Sequence, residues 1–125
     1  LIAFLDTHAF MSFCRGQTGR FGAESRRLLE VADLAVSPVV LLELHFLSET
    51  GTLIVDPDRF YADSVAEHDI QEFADPISDV VLEAKTLAWT RDPFDRLIVG
   101  ATMIHRAKLV TKDANIREHF DGAVW

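Results

Sequence analysis

The sequence predicts an α/β fold: one domain over residues 1–125, with a central, mostly parallel sheet flanked by helices. Three observations carry this. Short apolar runs alternate with segments of helical periodicity, the order in which a parallel sheet and its crossover helices follow one another. The first run, at Leu1 to Leu5, is continuous rather than alternating, as in a strand buried on both faces. With 125 residues and 49% hydrophobic side chains, the chain is long enough for one core and too apolar for disorder.

Taken in order, "LIAFL" at the start reads as a strand, "HAFMSFC" as a helical turn and "RGQTG" as a glycine-containing loop. "GAESRRLLEVAD" has amphipathic spacing that turns Leu28, Leu29 and Val31 inward. "LAVS" reads as a second strand. "SPVVLLELHFLSETG" carries full helix punctuation, with Ser37 as N-cap, Pro38 in the first helical position and Gly51 at the close. "TLIV" is strand-like, "DPDRFYADSVAEH" is a turn and a helix, and "IQEF" fits either strand or coil. "PISDVVLEAKTLAW" and "DPFDRLIVGATMIHRA" are helices, "KLVT" is a strand, "DANIREHF" a helix and "AVW" a last short strand. No repeat, low-complexity tract or linker interrupts the series.

Several function classes drop out on composition. No apolar run reaches the roughly 18 to 20 residues that cross a bilayer, so no membrane partner is expected. The start has no basic n-region, which argues against a signal peptide, although Leu1 in place of Met leaves room for lost residues. Cys14 is the one cysteine, so no disulfide forms within the chain, and a reducing cytoplasm is the expected location. CxxC pairs, Cys/His spacings and a Gly-rich phosphate loop are absent, which argues against structural zinc and P-loop chemistry. His8, His45, His68, His105 and His119 have no metal-like mutual spacing and read as surface or satisfied histidines. Phe10, Phe13, Phe46, Phe94 and Trp89 read as core or interface aromatics.

The net charge of −8 taken alone argues against a nucleic-acid partner, whose binder is normally basic. The charge is uneven, however. From Glu49 to Glu83 there are ten acids and one base, Arg59, which leaves ten of the 20 acids and eleven of the 12 bases elsewhere. An acidic belt can coexist with a basic mouth; both also fit an ordinary solvated surface.

Five acids need an account. Asp92, followed by Pro93 and by an acid at N3, reads as a helix cap. Asp95 also fits as that N3 acid near a positive helix end. Yet its neighbours at i+3, i+4 and i+7 are Ile98, Val99 and Thr102, so it heads the apolar face. Glu43 lies within a helix with Val39, Val40, Phe46 and Leu47 around it. Such a carboxylate is rarely buried unless paired or bound to a metal; the alternatives are a solvent-facing rotamer or a pair with an arginine such as Arg96. Asp6 and Asp113 follow "LIAFL" and "KLVT", and each fits a turn or N-cap. Ligand groups in parallel α/β folds gather outside the carboxyl ends of the strands. Converging carboxylates repel by about 4 kcal/mol for unit charges about 4 Å apart at an effective dielectric near 20. A divalent cation, or a shared proton, makes such a cluster tolerable, and hard oxygen ligands suit Mg²⁺ or Mn²⁺.

The motifs "FLDTHAF", "SPVVLLEL", "RDPFDRLIVGA" and "LVTKDANI", in this order and spacing and with a closing "VW", resemble the PIN-domain ribonucleases, most closely the VapC toxins of bacterial toxin–antitoxin pairs. The resemblance covers nearly the whole chain. It implies a PIN-like nuclease domain that hydrolyses RNA phosphodiester bonds with Mg²⁺ or Mn²⁺. It places the family's catalytic and metal-binding acids on Asp6, Glu43, Asp95 and Asp113, with Asp6 and Asp95 the firmest ligands. Thr7 and Thr111 match the family's hydroxyls beside those acids. Arg15, Arg91 and Arg96 are candidates to hold substrate phosphates. The expected partners are RNA, a cognate antitoxin and a second copy of the chain. In two places the sequence departs from the pattern: Phe13 and its neighbours replace a tryptophan often found after "DTHA", and Asn115 stands where some members have a further acid. Two other readings compete. A phosphoacceptor signalling domain also gathers acids at strand ends with a lysine such as Lys112 nearby, but it leaves Glu43 unexplained and wants an acceptor after a middle strand, where "LAVSP" has none. A catalytically idle PIN scaffold that binds a protein partner is the other.

Overall fold

Ala3, Phe4 and Leu5 are all 0% exposed, although successive side chains of a strand point to opposite faces, so the first strand is covered on both sides. The computed structural model, which describes residues 1–125, places that strand, β1 (Ile2–Leu5), in the middle of a five-stranded sheet. The others are β2 (Asp33–Val36), β3 (Gln71–Glu72), β4 (Lys108–Val110) and β5 (Ala123–Val124). The order is β3-β2-β1-β4-β5, and every pairing is parallel.

Parallel neighbours need crossovers, and helices supply them. Helices α1 (Thr7–Cys14) and α2 (Ala23–Val31), with a 3₁₀ turn at Thr18–Arg20 between them, join β1 to β2. Helices α3 (Val39–Glu49) and α4 (Pro57–Glu67) lead to β3, α5 (Ile77–Ala84) and α6 (Pro93–Ile104) to β4, and α7 (Ala114–His119) to β5. The chain goes from β1 to β2 and β3 on one side and returns to β4 and β5 on the other. The switch point therefore lies between β1 and β4, whose carboxyl ends are tied by the Asp6 amide donating to the Val110 carbonyl at 3.2 Å.

Apolar helix faces close the core: Phe10 of α1, Leu44 of α3, and Ile98 and Val99 of α6 are all at most 2% exposed. Each such side chain stabilises the fold by about 1.5–3 kcal/mol. Helices α5 and α6 approach closely at Gly100, where an added Cβ would lie 3.1 Å from the Val80 carbonyl oxygen and 3.3 Å from the Ala84 amide. Backbone cannot move aside as a side chain can. Gly100→Val is therefore expected to lower the unfolding free energy by about 1–3 kcal/mol in urea titration.

Four helices end in the same device. After α1, α3, α4 and α6 the chain turns through Gly16, Gly51, Asp69 and Arg106, all at positive φ. At α6 the Ala107 amide donates to Thr102 and the Arg106 amide to Met103, the paired bonds of a Schellman cap. At α3 the same device takes the amides of Gly51 and Thr52, and the Leu53 amide also turns back to Leu47. This corrects the expected strand at "TLIV". The amides of Thr52 and Leu53 are spent closing the helix, Leu53 alone is buried at 1%, and Ile54 is 93% exposed.

Two further expectations change. Val31 of α2 points outward at 74% exposure. The fully buried side chain of that helix is Ser25, whose hydroxyl donates to the Gly22 carbonyl. The helix expected over "PISDVVLEAKTLAW" ends at Ala84. There the Thr86 hydroxyl donates to the Glu83 carbonyl at 2.8 Å, and the chain turns so that Leu87 enters the core. "IQEF" resolves into the short edge strand β3. The Cys14 thiol is pushed up to about 11, chiefly by burial, so it stays protonated at neutral pH and is no nucleophile.

Candidate active site

The switch point opens into a cavity of about 590 Å³, within the roughly 300–1,000 Å³ typical of ligand sites. Asp6, Glu43, Asp95 and Asp113 all line it. Each arrives from a different element, and hydrogen bonds fix the carboxylates of Asp6, Glu43 and Asp113. Asp6 ends β1 and caps α1: its Oδ1 accepts from the Ala9 amide at 2.7 Å. Asp113 follows β4 and caps α7, with Oδ1 accepting from the Ile116 amide at 2.9 Å. Glu43, in the middle of α3, accepts a short hydrogen bond from the Thr7 hydroxyl. It forms no ion pair with Arg96, whose Nε donates instead to the Thr90 carbonyl at 2.8 Å.

Asp92 does cap α6: its Oδ1 accepts from the amides of Phe94 at 2.8 Å and Asp95 at 3.2 Å. Asp95 stands half-buried one turn in, above Ile98, Val99 and Thr102, which are at most 2% exposed. The cap fixes the first turn and so the direction of the Asp95 side chain. Asp92→Ala is expected to cost about 1 kcal/mol of unfolding free energy, whereas Asp92→Asn keeps most of the cap.

The carboxylates register one another electrostatically. Burial pushes Asp95 up to about 7, and the charges of Asp92, Asp113, Glu43 and Asp6 push the same way. Burial also raises Asp6, against the Thr111 hydroxyl, the Ala9 amide and His8, which favour its charged form; the charge of Glu43 adds to the rise. Thr7 and Thr111 are buried at 2% and 0%. Thr111 also accepts from the Asp113 amide at 3.1 Å, so one hydroxyl serves two of the acids.

The donors are hard oxygens, which suits Mg²⁺ or Mn²⁺ and disfavours softer metals. No group of three or more acid, histidine or cysteine side chains is already gathered closely enough to hold an ion. The local bonds account for this. One oxygen each of Asp6 and Asp113 is committed to a helix cap, and Glu43 is turned toward Thr7. Mutual repulsion favours that spread arrangement.

The cavity does not receive the arginines that the sequence suggested. Arg15, Arg91 and Arg96 do not line it, and the Arg15 guanidinium lies 5.7 Å over the Phe60 ring. Arg20 and Lys112 line it instead, with His8, Ser12 and Trp125. Lys112 and His8 sit within two residues of a site acid, a proximity visible in the sequence. Arg20 and Trp125 carry no such signal. Of the remaining histidines, His45 pairs with Asp58, His105 with Asp75, and His119 with the Asn115 carbonyl. His68 is the exception, since its buried Nε2 has no partner. Asn115 donates to the Trp89 carbonyl at 3.2 Å and does not line the cavity. The middle strand of the sheet is β1, not "LAVS", so Asp6 itself holds the place that a phosphoacceptor would need.

Comparison with known proteins gives the following. The family model for the PIN domain matches residues 3–119. The chain is 29% identical over 117 residues to Ribonuclease VapC22 of Mycobacterium tuberculosis (strain ATCC 25618 / H37Rv), covering 92% of this chain and 89% of that protein. Among solved structures it superposes with TM-score 0.66 on a chain of a toxin–antitoxin complex from Klebsiella pneumoniae, at 16% identity, over 98% of this chain and 96% of that one. A chain of VapBC2 from Rickettsia felis, bound to a DNA fragment from its promoter, gives 0.66 at 15% identity, over 99% and 96%. At these identities the two structures speak to the fold alone.

Proposed function

This chain belongs to the PIN-domain family, and on that footing we propose that it is an endoribonuclease that hydrolyses RNA phosphodiester bonds with Mg²⁺ or Mn²⁺, acting in the cytoplasm as the toxin of a toxin–antitoxin pair. The observation that carries the reading is the single cavity into which four chain-distant elements bring Asp6, Glu43, Asp95 and Asp113. Similarity to a VapC ribonuclease over most of both chains supports it.

In this reading Asp6 and Asp95 hold the cation, and Glu43 and Asp113 complete the site directly or through water. A divalent ion held there supplies Lewis acidity, lowering the pKa of a water and offsetting charge on the phosphate. Thr7 keeps Glu43 in the cavity, and Thr111 does the same for Asp6 and Asp113. With its pKa raised to about 7, Asp95 holds its proton only part of the time at neutral pH, and a cation held there would favour its ionised form. The oxygen of the attacking water would bond to phosphorus as the bond from phosphorus to the leaving ribose oxygen breaks, and the proton that the water gives up would pass, directly or through solvent, to that oxygen.

Exposed apolar side chains support a protein partner. Leu42 and Phe46 of α3 are 52% and 47% exposed, and Ile77 and Leu82 of α5 are 64% and 57% exposed. An antitoxin, and a second copy of the chain, are the occupants this function requires.

The spread arrangement of the acids favours one second reading, an idle scaffold that binds protein but neither metal nor RNA. Incubation of the purified protein with RNA separates the two. Cleavage with Mg²⁺ or Mn²⁺ that stops with EDTA is expected. No cleavage and no heat on Mn²⁺ titration would favour the scaffold.

A further inference from the structure

The cavity has a wall that the acids do not explain. Trp125, Arg20 and Lys112 line it together with the carboxylates. The net charge of −8 repels a polyanion, so any nucleic acid that reaches these acids needs local cations. Arg20 and Lys112 are exposed and belong to no salt bridge, although acids line the same cavity. Their charges remain free for a phosphate.

Trp125 is half-buried and held in place from behind. Its ring packs on Phe21 with centroids 5.0 Å apart and an interplanar angle of 36°. Gly22 makes room for it: a Cβ there would lie 2.6 Å from the Trp125 carbonyl carbon. Strand β5 carries Trp125 beside β4, because the Thr111 amide donates to the Val124 carbonyl at 3.1 Å. Trp125 is thus an aromatic residue anchored from behind in the wall of the acid cavity. Such residues bind unpaired bases by stacking, with flanking cations on the phosphates.

Resting on the nuclease reading above, we propose that Trp125, Arg20 and Lys112 form a nucleotide subsite: the indole stacks on an unpaired base beside the scissile bond, and the two cations hold a neighbouring phosphate.

Stacking acts equally on bound substrate and transition state, so its loss raises KM rather than lowering kcat. Trp125→Leu keeps apolar contact with Phe21 but has no π face. It is expected to raise KM for a single-stranded RNA by about tenfold with kcat within about twofold, and Trp125→Phe recovers most of the loss. In a Trp89→Phe background Trp125 is the one tryptophan left of two, and the same RNA should quench its fluorescence. Arg20→Ala and Lys112→Ala each reduce the salt slope of binding by about 1. A Trp125→Leu protein that melts like the parent with an unchanged KM, or an unquenched Trp125, would overturn the subsite. If the parent cuts no RNA with either metal, the nuclease reading fails, and the quenching titration still decides whether RNA sits on Trp125.

Discussion

Asp95→Asn is expected to lose metal-dependent RNA cleavage by more than about a hundredfold while the metal-free protein becomes more stable. Residues that merely support metal ligands typically cost ten- to a hundredfold when changed, so a direct ligand should cost more. The gain in stability comes from the same carboxylate. Asp95 is pushed up to about 7 by burial and by four neighbouring acids, so at pH 8 its charge opposes folding. Asparagine keeps the shape and removes the charge, for a gain on the order of 1 kcal/mol after the shift is discounted for solvent screening of this half-exposed group. Thermal melting and a cleavage assay on one preparation check both. A variant that cleaves as fast as the parent would show that Asp95 is not a ligand; one that unfolds would show that its charge supports the fold.

The second large effect is a stability profile that a divalent cation inverts. Burial and its neighbours push Asp95 up to about 7 in the folded protein, against its ordinary value of 3.8 in the unfolded chain. Between those values the native state holds more protons than the unfolded state, so stability falls as pH rises. Asp6 is raised as well and adds in the same direction. As far as these two groups decide it, the metal-free protein should therefore be most stable at and below about pH 4 and lose stability from there up to about pH 7 to 8. In the proposed site Mg²⁺ or Mn²⁺ would bind the ionised form, so its benefit should grow over the same window. At a hundred times its dissociation constant the ion adds about 2.7 kcal/mol. Melting curves from pH 5 to 8, with EDTA and with Mn²⁺, test this. Parallel curves would mean that the ion does not meet these carboxylates.

Much of the fold was legible because burial leaves a mark on sequence. "LIAFL" is continuous because β1 is covered on both faces, and the punctuation of "SPVVLLELHFLSETG" is mirrored by the Ser37 hydroxyl accepting from the Val39 amide and by Gly51 at positive φ. "TLIV" misled because apolarity alone does not supply a pairing partner; helix closure took its amides first. Val31 misled because amphipathic spacing identifies a stripe but not its edge. At the site, Asp95 and Glu43 stood out as charges on apolar faces, and the structure brings both to one cavity with Asp6 and Asp113. The cations did not stand out. Arg20 and Trp125 lie near opposite ends of the chain and meet through the packing of Phe21 and Gly22 against the last residue, a contact with no local signature.

The central claim is that these four acids, spread apart by caps and repulsion, close on one divalent ion. A crystal structure of the protein soaked in Mn²⁺ tests it most directly, by anomalous scattering. The account predicts a single strong peak bridging the Asp6 and Asp95 carboxylates, with oxygen ligands at about 2.1 Å and Glu43 or Asp113 in contact directly or through water. A peak elsewhere, or carboxylates that stay too far apart for one ion to bridge, would contradict it.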